Sequence, residues 1–200
     1  MRPLLHPGAY ALTASLVSVL AFGCGSRSSG PTASASARVE TTAAEPGSSE
    51  VAAANTVAYG PPVEPIASAG IHSRVTDGGG VTVVNLWATW CAPCRREMPA
   101  LLSVARAHKA DGVRLLLVSV DFDDQLPQVR KFLAGNGVDQ TTYFKNEPDQ
   151  QFINAVHPQW SGALPATLVY DRKGKLVEFW EGAGDENRFE HAVIAALTSN

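Results

Sequence analysis

Cys91 and Cys94 lie three residues apart in the stretch NLWATWCAPCRREMPAL, where an apolar run gives way to a charged one. Residues three apart in the first turn of a helix lie on the same side, so the two sulfur atoms can meet at the Cα separation of about 5.5 Å that a disulfide needs. The free N–H groups of a helix start stabilise a thiolate and lower a cysteine pKa from about 8.5 to as low as ~3.5 in such motifs. The spacing therefore predicts a thiol redox pair.

The positions of the two cysteines suggest different roles. Cys91 stands at the predicted helix start, so we expect it to attack the disulfide of a partner, and we expect the more buried Cys94 to resolve the mixed disulfide. Pro93 fits the first turn, where its missing N–H costs little, and it limits how far the two sulfurs can separate.

Two other interpretations of the cysteine pair stay open. One is a static disulfide, although a bridge that closes so short a loop stabilises little. The other is half of a zinc site, which lacks a second cysteine pair. We predict no metal and no cofactor other than the Cys91–Cys94 disulfide itself. The histidines outside the first 24 residues show no ligand spacing; they are His72, His108, His157 and His191.

The sequence around the pair predicts the elements that position it. VTVVNLWA, residues 81–88, is a β-branched apolar run typical of a strand buried on both faces, and a helix bent near Pro99 is predicted to follow over 92–108. Strand, helix and hairpin patterns in this order predict an α/β fold whose mixed central sheet has helices on both faces. Further elements are predicted as a strand over 113–121, helices within 65–80, 124–137, 148–157 and 185–197, and a hairpin over 166–182.

The first 24 residues have the layout of an export signal. Arg2 and His6 precede a mostly apolar run over residues 9–22, which is shorter than the roughly 20 residues of a membrane-spanning helix. Small residues around Cys24 resemble a bacterial lipoprotein signal, in which that cysteine becomes the lipid-bearing N-terminus. We predict a signal peptide over 1–23 and lipidation of Cys24; an ordinary secreted protein and a buried leader cysteine are the alternatives.

Composition divides the rest of the chain. Residues 25–60 consist mainly of Ser, Ala, Thr, Gly and Pro and cannot bury enough surface to offset the entropy of ordering, so we predict a flexible linker there. Residues 61–200 are predicted to form one folded domain. The formal net charge of -3 gives no reason to expect a nucleic-acid partner.

The CxxC segment resembles a known family. Its residues are similar to the N-F-W-A-T-W-C-x-P-C-x-x-E-x-P pattern of the TlpA/ResA-like disulfide reductases, exported and membrane-tethered members of the thioredoxin superfamily, and they differ from it at Leu86. The resemblance spans roughly residues 63–198 and implies a thioredoxin-like fold and a thiol-disulfide oxidoreductase. It implies disulfide-containing exported proteins as substrates and a membrane electron donor for re-reduction.

The same resemblance implies a location and a substrate groove. The protein is expected in the cell envelope, on the periplasmic side, held to a membrane by the lipid; Gly25, where many inner-membrane lipoproteins have aspartate, favours the outer membrane. Pro165 takes the place of the cis-proline that faces the CxxC in thioredoxin folds. Leu164 is then the residue that offers its backbone to substrate, and Trp90 and Trp160 are expected to wall the groove. A trans-proline at a strand start and simple core packing of Trp160 are the alternatives.

A proton carrier is also implied. Thioredoxin has a buried acid six residues before its first cysteine, where this chain has Asn85, which cannot carry a proton. ResA-like reductases use a glutamate at the position of Glu97, on the same helix face as Cys94, so we expect Glu97 to handle the proton. The alternative is a solvated carboxylate near the positive end of the helix dipole.

Two other functions are possible for a chain with this pair of cysteines. A copper-delivery protein of the Sco group shares the fold but has a three-residue spacer between its cysteines and a downstream histidine, for which His157 is the candidate. A thiol peroxidase would need a single peroxidatic cysteine in a different loop. We expect Arg95 and Arg96 to be solvated. The acidic cluster of Asp121, Asp123 and Asp124 is expected to cap a loop or helix rather than bind metal.

Overall fold

The computed structural model describes residues 60–199. The predicted signal peptide, Cys24 and nearly all of the predicted linker lie outside the described residues. The described part is a six-stranded mixed sheet with five helices. The mixed sheet and the five helices are as predicted, but only four of the six strands were predicted. The strands are β1 (Val63–Ile66), β2 (Thr82–Trp87), β3 (Arg114–Ser119), β4 (Thr142–Lys145), β5 (Ala166–Tyr170) and β6 (Leu176–Glu181), and the helices are α1 (Ser68–Thr76), α2 (Ala92–Ala107), α3 (Leu126–Gly135), α4 (Asp149–Val156) and α5 (Glu186–Thr198).

The sheet has the order β1-β4-β3-β2-β5-β6. Strands β1 to β4 run parallel, and β5 and β6 form the antiparallel hairpin that the sequence predicts. All six residues of β2 are buried, because alternate side chains of a central strand pack under helices on opposite faces. Val83 and Trp87 join a core with α2, α3 and α5, whereas Val84 and Leu86 join a core with α1 and α4.

This topology brings the CxxC and the hairpin to one end of the sheet. The loop that leads to Cys91 follows the carboxyl end of β2. Since β5 is antiparallel to β2, with Leu86 opposite Ala166, the start of β5 lies at the same end, and Pro165 immediately precedes it. The first residue of β1 lies at the opposite end of the sheet, because β1, β4, β3 and β2 are mutually parallel.

Both strands on the β1 side of the sheet were absent from the prediction. The helix predicted within 65–80 begins only at Ser68, and residues 63–66 are strand instead, paired in register from Val63 opposite Thr142 to Ile66 opposite Lys145. The two strands have four residues each and include exposed or half-exposed positions. They pair with each other across about 80 residues of chain, and β4 also pairs with β3, so neither strand has a strong local signal. Between residues 60 and 199, no helix is long and apolar enough to cross a bilayer.

Candidate active site

The two cysteines form a disulfide at the start of α2. Their Cα atoms are 5.3 Å apart. Cys91 is the N-cap residue of α2, and its sulfur accepts a hydrogen bond of 3.2 Å from the N–H of Cys94, with Pro93 in the first turn as predicted. Cys91 is 5% exposed and Cys94 is fully buried, which agrees with the expected order of burial. The first turn contains no acidic residue to oppose the positive end of the helix dipole.

Asp121 holds the loop in front of Cys91. Its carboxylate is 2% exposed and accepts hydrogen bonds from the backbone N–H of Thr89, at 3.1 and 2.9 Å to its two oxygens, and from the Thr89 hydroxyl. The Ser119 hydroxyl donates to it at 2.6 Å. The interpretation of the acidic cluster as a cap is correct for Asp121, which caps this loop, while its contact with the residue two before Cys91 was not foreseen.

Glu97 lies on α2 one turn after Cys94 and is 3% exposed. One carboxylate oxygen accepts a 2.9 Å hydrogen bond from Nδ2 of Asn85, and the other accepts a 2.8 Å hydrogen bond from the N–H of Gly184. Burial raises the pKa of Glu97 above its ordinary value of 4.5, and the two hydrogen bonds lower it by less. The alternative of a solvated helix carboxylate is therefore wrong, and Arg95 and Arg96 are exposed as expected.

Asn85 connects Glu97 to the hairpin. It lies fully buried in the middle of β2, opposite Thr167 of β5. Its Nδ2 donates both to Glu97 and to the Thr167 hydroxyl, at 3.1 Å for the latter, and its Oδ1 has no hydrogen-bond partner.

Gly184 is a site residue that the sequence analysis missed. It lies between β6 and α5, and a Cβ atom at this position would be 2.8 Å from the Phe189 ring, closer than any side chain tolerates. The absence of a side chain lets this segment pack against the Phe189 ring, where its N–H donates to Glu97. The GAG sequence after β6 was the available signal, but its partner lies 87 residues away.

The peptide bond between Leu164 and Pro165 is cis, as the resemblance implied; the trans alternative is wrong. Beside it, a cavity of about 160 Å³ opens next to the CxxC loop. Trp90 and Phe122 are 57% and 63% exposed at this cavity, and Phe122 was not predicted. Trp160 both lines the cavity and belongs to the core, with its ring N–H bonded to the Ala163 carbonyl. Other lining residues are Val120, Lys145, Asp149, Phe152, Ile153, Gly162 and Leu164.

The candidate copper ligand has an aromatic neighbour. The His157 ring packs against the Phe179 ring with centroids 4.3 Å apart, and burial lowers the pKa of His157. Over the described range, 60–199, no three His, Cys, Asp or Glu side chains are grouped so that they could hold a metal ion.

A family model described as "AhpC/TSA family" matches residues 68–179, which is more than half of the chain. This chain belongs to the AhpC/TSA family. The match covers α1 through most of β6 and so includes the CxxC, Glu97 and cis-Pro165.

Two relatives similar to this chain are named for thiol-disulfide or thioredoxin-like proteins. It is 33% identical over 114 residues to the thiol-disulfide oxidoreductase ResA of Geobacillus thermodenitrificans, covering 56% of this chain and 62% of that protein. It is 34% identical over 128 residues to the thioredoxin-like protein YneN of Bacillus subtilis, covering 60% and 68%. The ResA-like resemblance predicted from the CxxC segment is confirmed, although the match spans less than two thirds of ResA.

A solved structure supports the fold of this family member. The crystal structure of a thioredoxin-related protein from Neisseria meningitidis serogroup B superposes with a TM-score of 0.51 at 30% identity, over 60% of this chain and 87% of that chain. The predicted thioredoxin-like fold is therefore confirmed.

Proposed function

We propose that this AhpC/TSA-family protein is a thiol-disulfide oxidoreductase that reduces disulfides of exported proteins through Cys91 and Cys94. The observation that carries the proposal is the disulfide between these residues at the start of α2, beside a cis-proline and an apolar cavity. The names of its relatives ResA and YneN agree with this activity. A static bridge would need neither exposed aromatic residues nor a buried acid next to it.

The proposed exchange moves two electrons through three pairs of sulfur atoms. In the reduced protein, the Cys91 thiolate attacks one sulfur of the substrate disulfide, a Cys91–substrate disulfide forms, and the other substrate sulfur leaves as a thiolate and takes up a proton. The Cys94 thiol then loses its proton and attacks the Cys91 sulfur. The Cys91–Cys94 disulfide forms, the second substrate thiolate leaves, and the closed pair is the state described above.

Different parts of α2 activate the Cys91 thiolate and accept the proton of Cys94. Cys91, as the N-cap residue, gains from the free N–H groups and positive dipole end of the helix. We assign Glu97 to accept the proton of Cys94, because it is buried one turn further along the same helix and burial raises its pKa toward neutrality.

The apolar cavity is the proposed place for the substrate chain. Trp90 and Phe122 expose large apolar surfaces at its rim, and Leu164 lines it just before the cis bond. Exposed aromatic residues around a cleft are typical of recognition sites. We expect them to bind apolar side chains next to the substrate cysteine, with the Leu164 backbone aligning the segment.

The cellular setting is part of the proposal. We infer a location in the cell envelope, on the periplasmic side, with Cys24 lipidated and the protein held to a membrane, the outer one being favoured by Gly25. The oxidised pair would be re-reduced by a membrane electron donor, since each turnover leaves a disulfide that must receive two electrons. Globomycin, which blocks lipoprotein signal cleavage, should cause a larger precursor to accumulate; Cys24→Ala should abolish that response.

Insulin reduction tests the activity. The full chain with Cys24→Ser, which removes the third thiol, should accelerate insulin reduction by dithiothreitol, and the same chain with Cys91→Ser should fall to the uncatalysed rate. Equal rates for the two proteins would reject the proposal. The reduction potential of the pair tests direction: a value near the ~-270 mV of thioredoxin fits a reductase, whereas a value near the ~-120 mV of DsbA would make the protein an oxidant.

A further inference from the structure

We propose that the side-chain amide of Asn85 turns by half a rotation whenever Glu97 gains or loses its proton, which makes Asn85 a positioning residue for the proton transfer. The inference rests on the proposed function, because it gives Glu97 the role of proton carrier. It starts from two buried features, the Oδ1 atom of Asn85, which has no hydrogen-bond partner, and the ionisable carboxyl group of Glu97 beside this side chain.

The hydrogen bonds around Glu97 fit a carboxylate and not a carboxylic acid. Both of its oxygens face donors, Nδ2 of Asn85 on one side and the N–H of Gly184 on the other. A protonated carboxyl group must itself donate, and neither of these partners can accept. In the present arrangement, the proton that Glu97 takes up has no acceptor among its hydrogen-bond partners.

The side-chain amide of Asn85 also contains an acceptor, Oδ1, on the side opposite to the Nδ2 that bonds Glu97. Its two Nδ2 hydrogens are used by Glu97 and Thr167, while its Oδ1 is buried and unpartnered. Half a turn about the terminal side-chain bond exchanges the positions of Nδ2 and Oδ1, because the amide is planar and nearly symmetric in shape. Oδ1 then stands where Nδ2 stood, about 2.9 Å from the Glu97 oxygen, and accepts its proton.

Thr167 is compatible with both orientations. Its hydroxyl accepts from Nδ2 now and can donate to Oδ1 after the turn, since a hydroxyl is both donor and acceptor. An ionised aspartate at position 85 could not donate a hydrogen bond to the ionised Glu97. A leucine could neither donate to the carboxylate nor accept from the protonated carboxyl group. The amide therefore suits a neighbour whose charge changes during each cycle.

The proton and electron paths stay separate. When Cys94 attacks Cys91, the thiol proton of Cys94 passes to Glu97, and the amide turns. The proton later leaves Glu97 for the departing substrate thiolate, and the amide turns back. The electrons pass only between sulfur atoms, so no further oxidant or reductant is needed.

The hydrogen-bonded neighbours of Glu97 do not titrate. Asn85 of β2 and the N–H of Gly184 donate to it, and Asn85 also bonds Thr167 of β5; no charged group is among the causes of the raised pKa of Glu97. On α2 itself the titratable neighbour is Cys94, one turn earlier, and it does not titrate while the disulfide is closed. The oxidised protein thus isolates the Asn85–Glu97 pair.

NMR on the full-length oxidised protein tests the proposal without reference to activity. A pH titration would follow the carboxyl ¹³C signal of Glu97 and the side-chain ¹H and ¹⁵N signals of Asn85. We expect both to change with one midpoint, and the Asn85 amide protons to exchange with water at least about tenfold faster once Glu97 is protonated, because they then lose both partners. Asn85 signals that stay constant while Glu97 titrates would overturn the proposal.

A variant series adds a second readout. Asn85→Leu removes the donor that favours the carboxylate, so the Glu97 midpoint should rise by about one pH unit, a tenfold weaker acid, and the pH profile of insulin reduction should move with it. Thr82→Val, a buried polar deletion at the other end of β2, should leave the midpoint unchanged. An unchanged midpoint in Asn85→Leu would contradict the proposal. Failure of insulin reduction in the wild type would instead reject the proposed function, whatever the titration shows.

Discussion

Two buried carboxylates flank the CxxC, and their surroundings differ. Asp121, which contacts the loop that precedes Cys91, receives hydrogen bonds from one backbone N–H and two hydroxyls, all belonging to that loop and to β3. Glu97, after it, receives one amide hydrogen bond and one backbone hydrogen bond, from a neighbour that also carries an unpartnered acceptor. The difference fits a loop fixed by Asp121 and supports the proton exchange proposed for Glu97.

The largest effect is expected from removal of the first carboxylate. Asp121→Ala leaves the Thr89 N–H and the Thr89 and Ser119 hydroxyls without their acceptor, and each buried unpaired group costs ~1–3 kcal/mol. We expect the free energy of unfolding to fall by about 3 kcal/mol, measured by urea denaturation. Asp121→Asn, which keeps the shape and one acceptor, should lose about half as much. If the free energy of unfolding falls by less than about 0.5 kcal/mol in Asp121→Ala, Asp121 does not have the structural role that distinguishes it from Glu97.

A change at Glu97 should affect activity strongly and stability little, the reverse of the result expected at Asp121. Glu97→Gln keeps the size of the side chain but cannot carry a proton, so insulin reduction should slow by about 100-fold, the lower end of the usual contribution of general acid–base catalysis. Its stability at neutral pH should change by less than about 1 kcal/mol. The initial attack of Cys91, followed as trapping of a mixed disulfide in a Cys94→Ser background, should be unaffected by the change at Glu97. If the attack of Cys91 also slows, Glu97 acts before the deprotonation of Cys94 and the proposed role is wrong.

The pH dependence of stability separates wild type from Glu97→Gln further. The pKa of Glu97 is raised in the folded state, so the native protein binds the proton more tightly than the unfolded chain. The resulting contribution is fully present below the unfolded value of 4.5 and is lost as the pH rises through the higher folded value. Relative to Glu97→Gln, the wild type should therefore lose stability as the pH rises above 4.5, and a difference that stays constant with pH would contradict the raised pKa.

The smallest effect on stability is expected from His108, which bonds two carboxylates near the surface. His108 bonds Glu190 at 2.9 Å and Asp111 at 3.0 Å, and these hydrogen bonds raise the pKa of His108. The stabilisation is present below the ordinary value of 6.5 and is lost as the pH rises through the raised value. His108→Gln should cost less than about 1 kcal/mol at pH 6 and almost nothing at pH 9. Equal costs at both pH values would show that the ring acts by packing alone.

The sequence predicted those parts of the fold whose signal is local. The buried runs of β2 and β3, the CxxC at the start of α2 and the hairpin about Gly174 have strong local patterns, and cis-Pro165 followed from the family resemblance. β1 and β4 were not predicted, because each has exposed or half-exposed positions and the two pair with each other across a long stretch of chain. The same reason applies within the site: Asp121, Gly184 and Phe122 acquire their positions only when β2, β3 and α5 have assembled.

The parallel arrangement of β1 to β4 has a practical consequence. The described chain begins beside the first residue of β1, and the disulfide follows the last residue of β2, so the length of the sheet, roughly 20 Å for a six-residue strand, separates them. Coupling this domain through its amino-terminal side to a bead, an electrode or a fusion partner should leave the CxxC end of the sheet facing away from the support and accessible to large substrates.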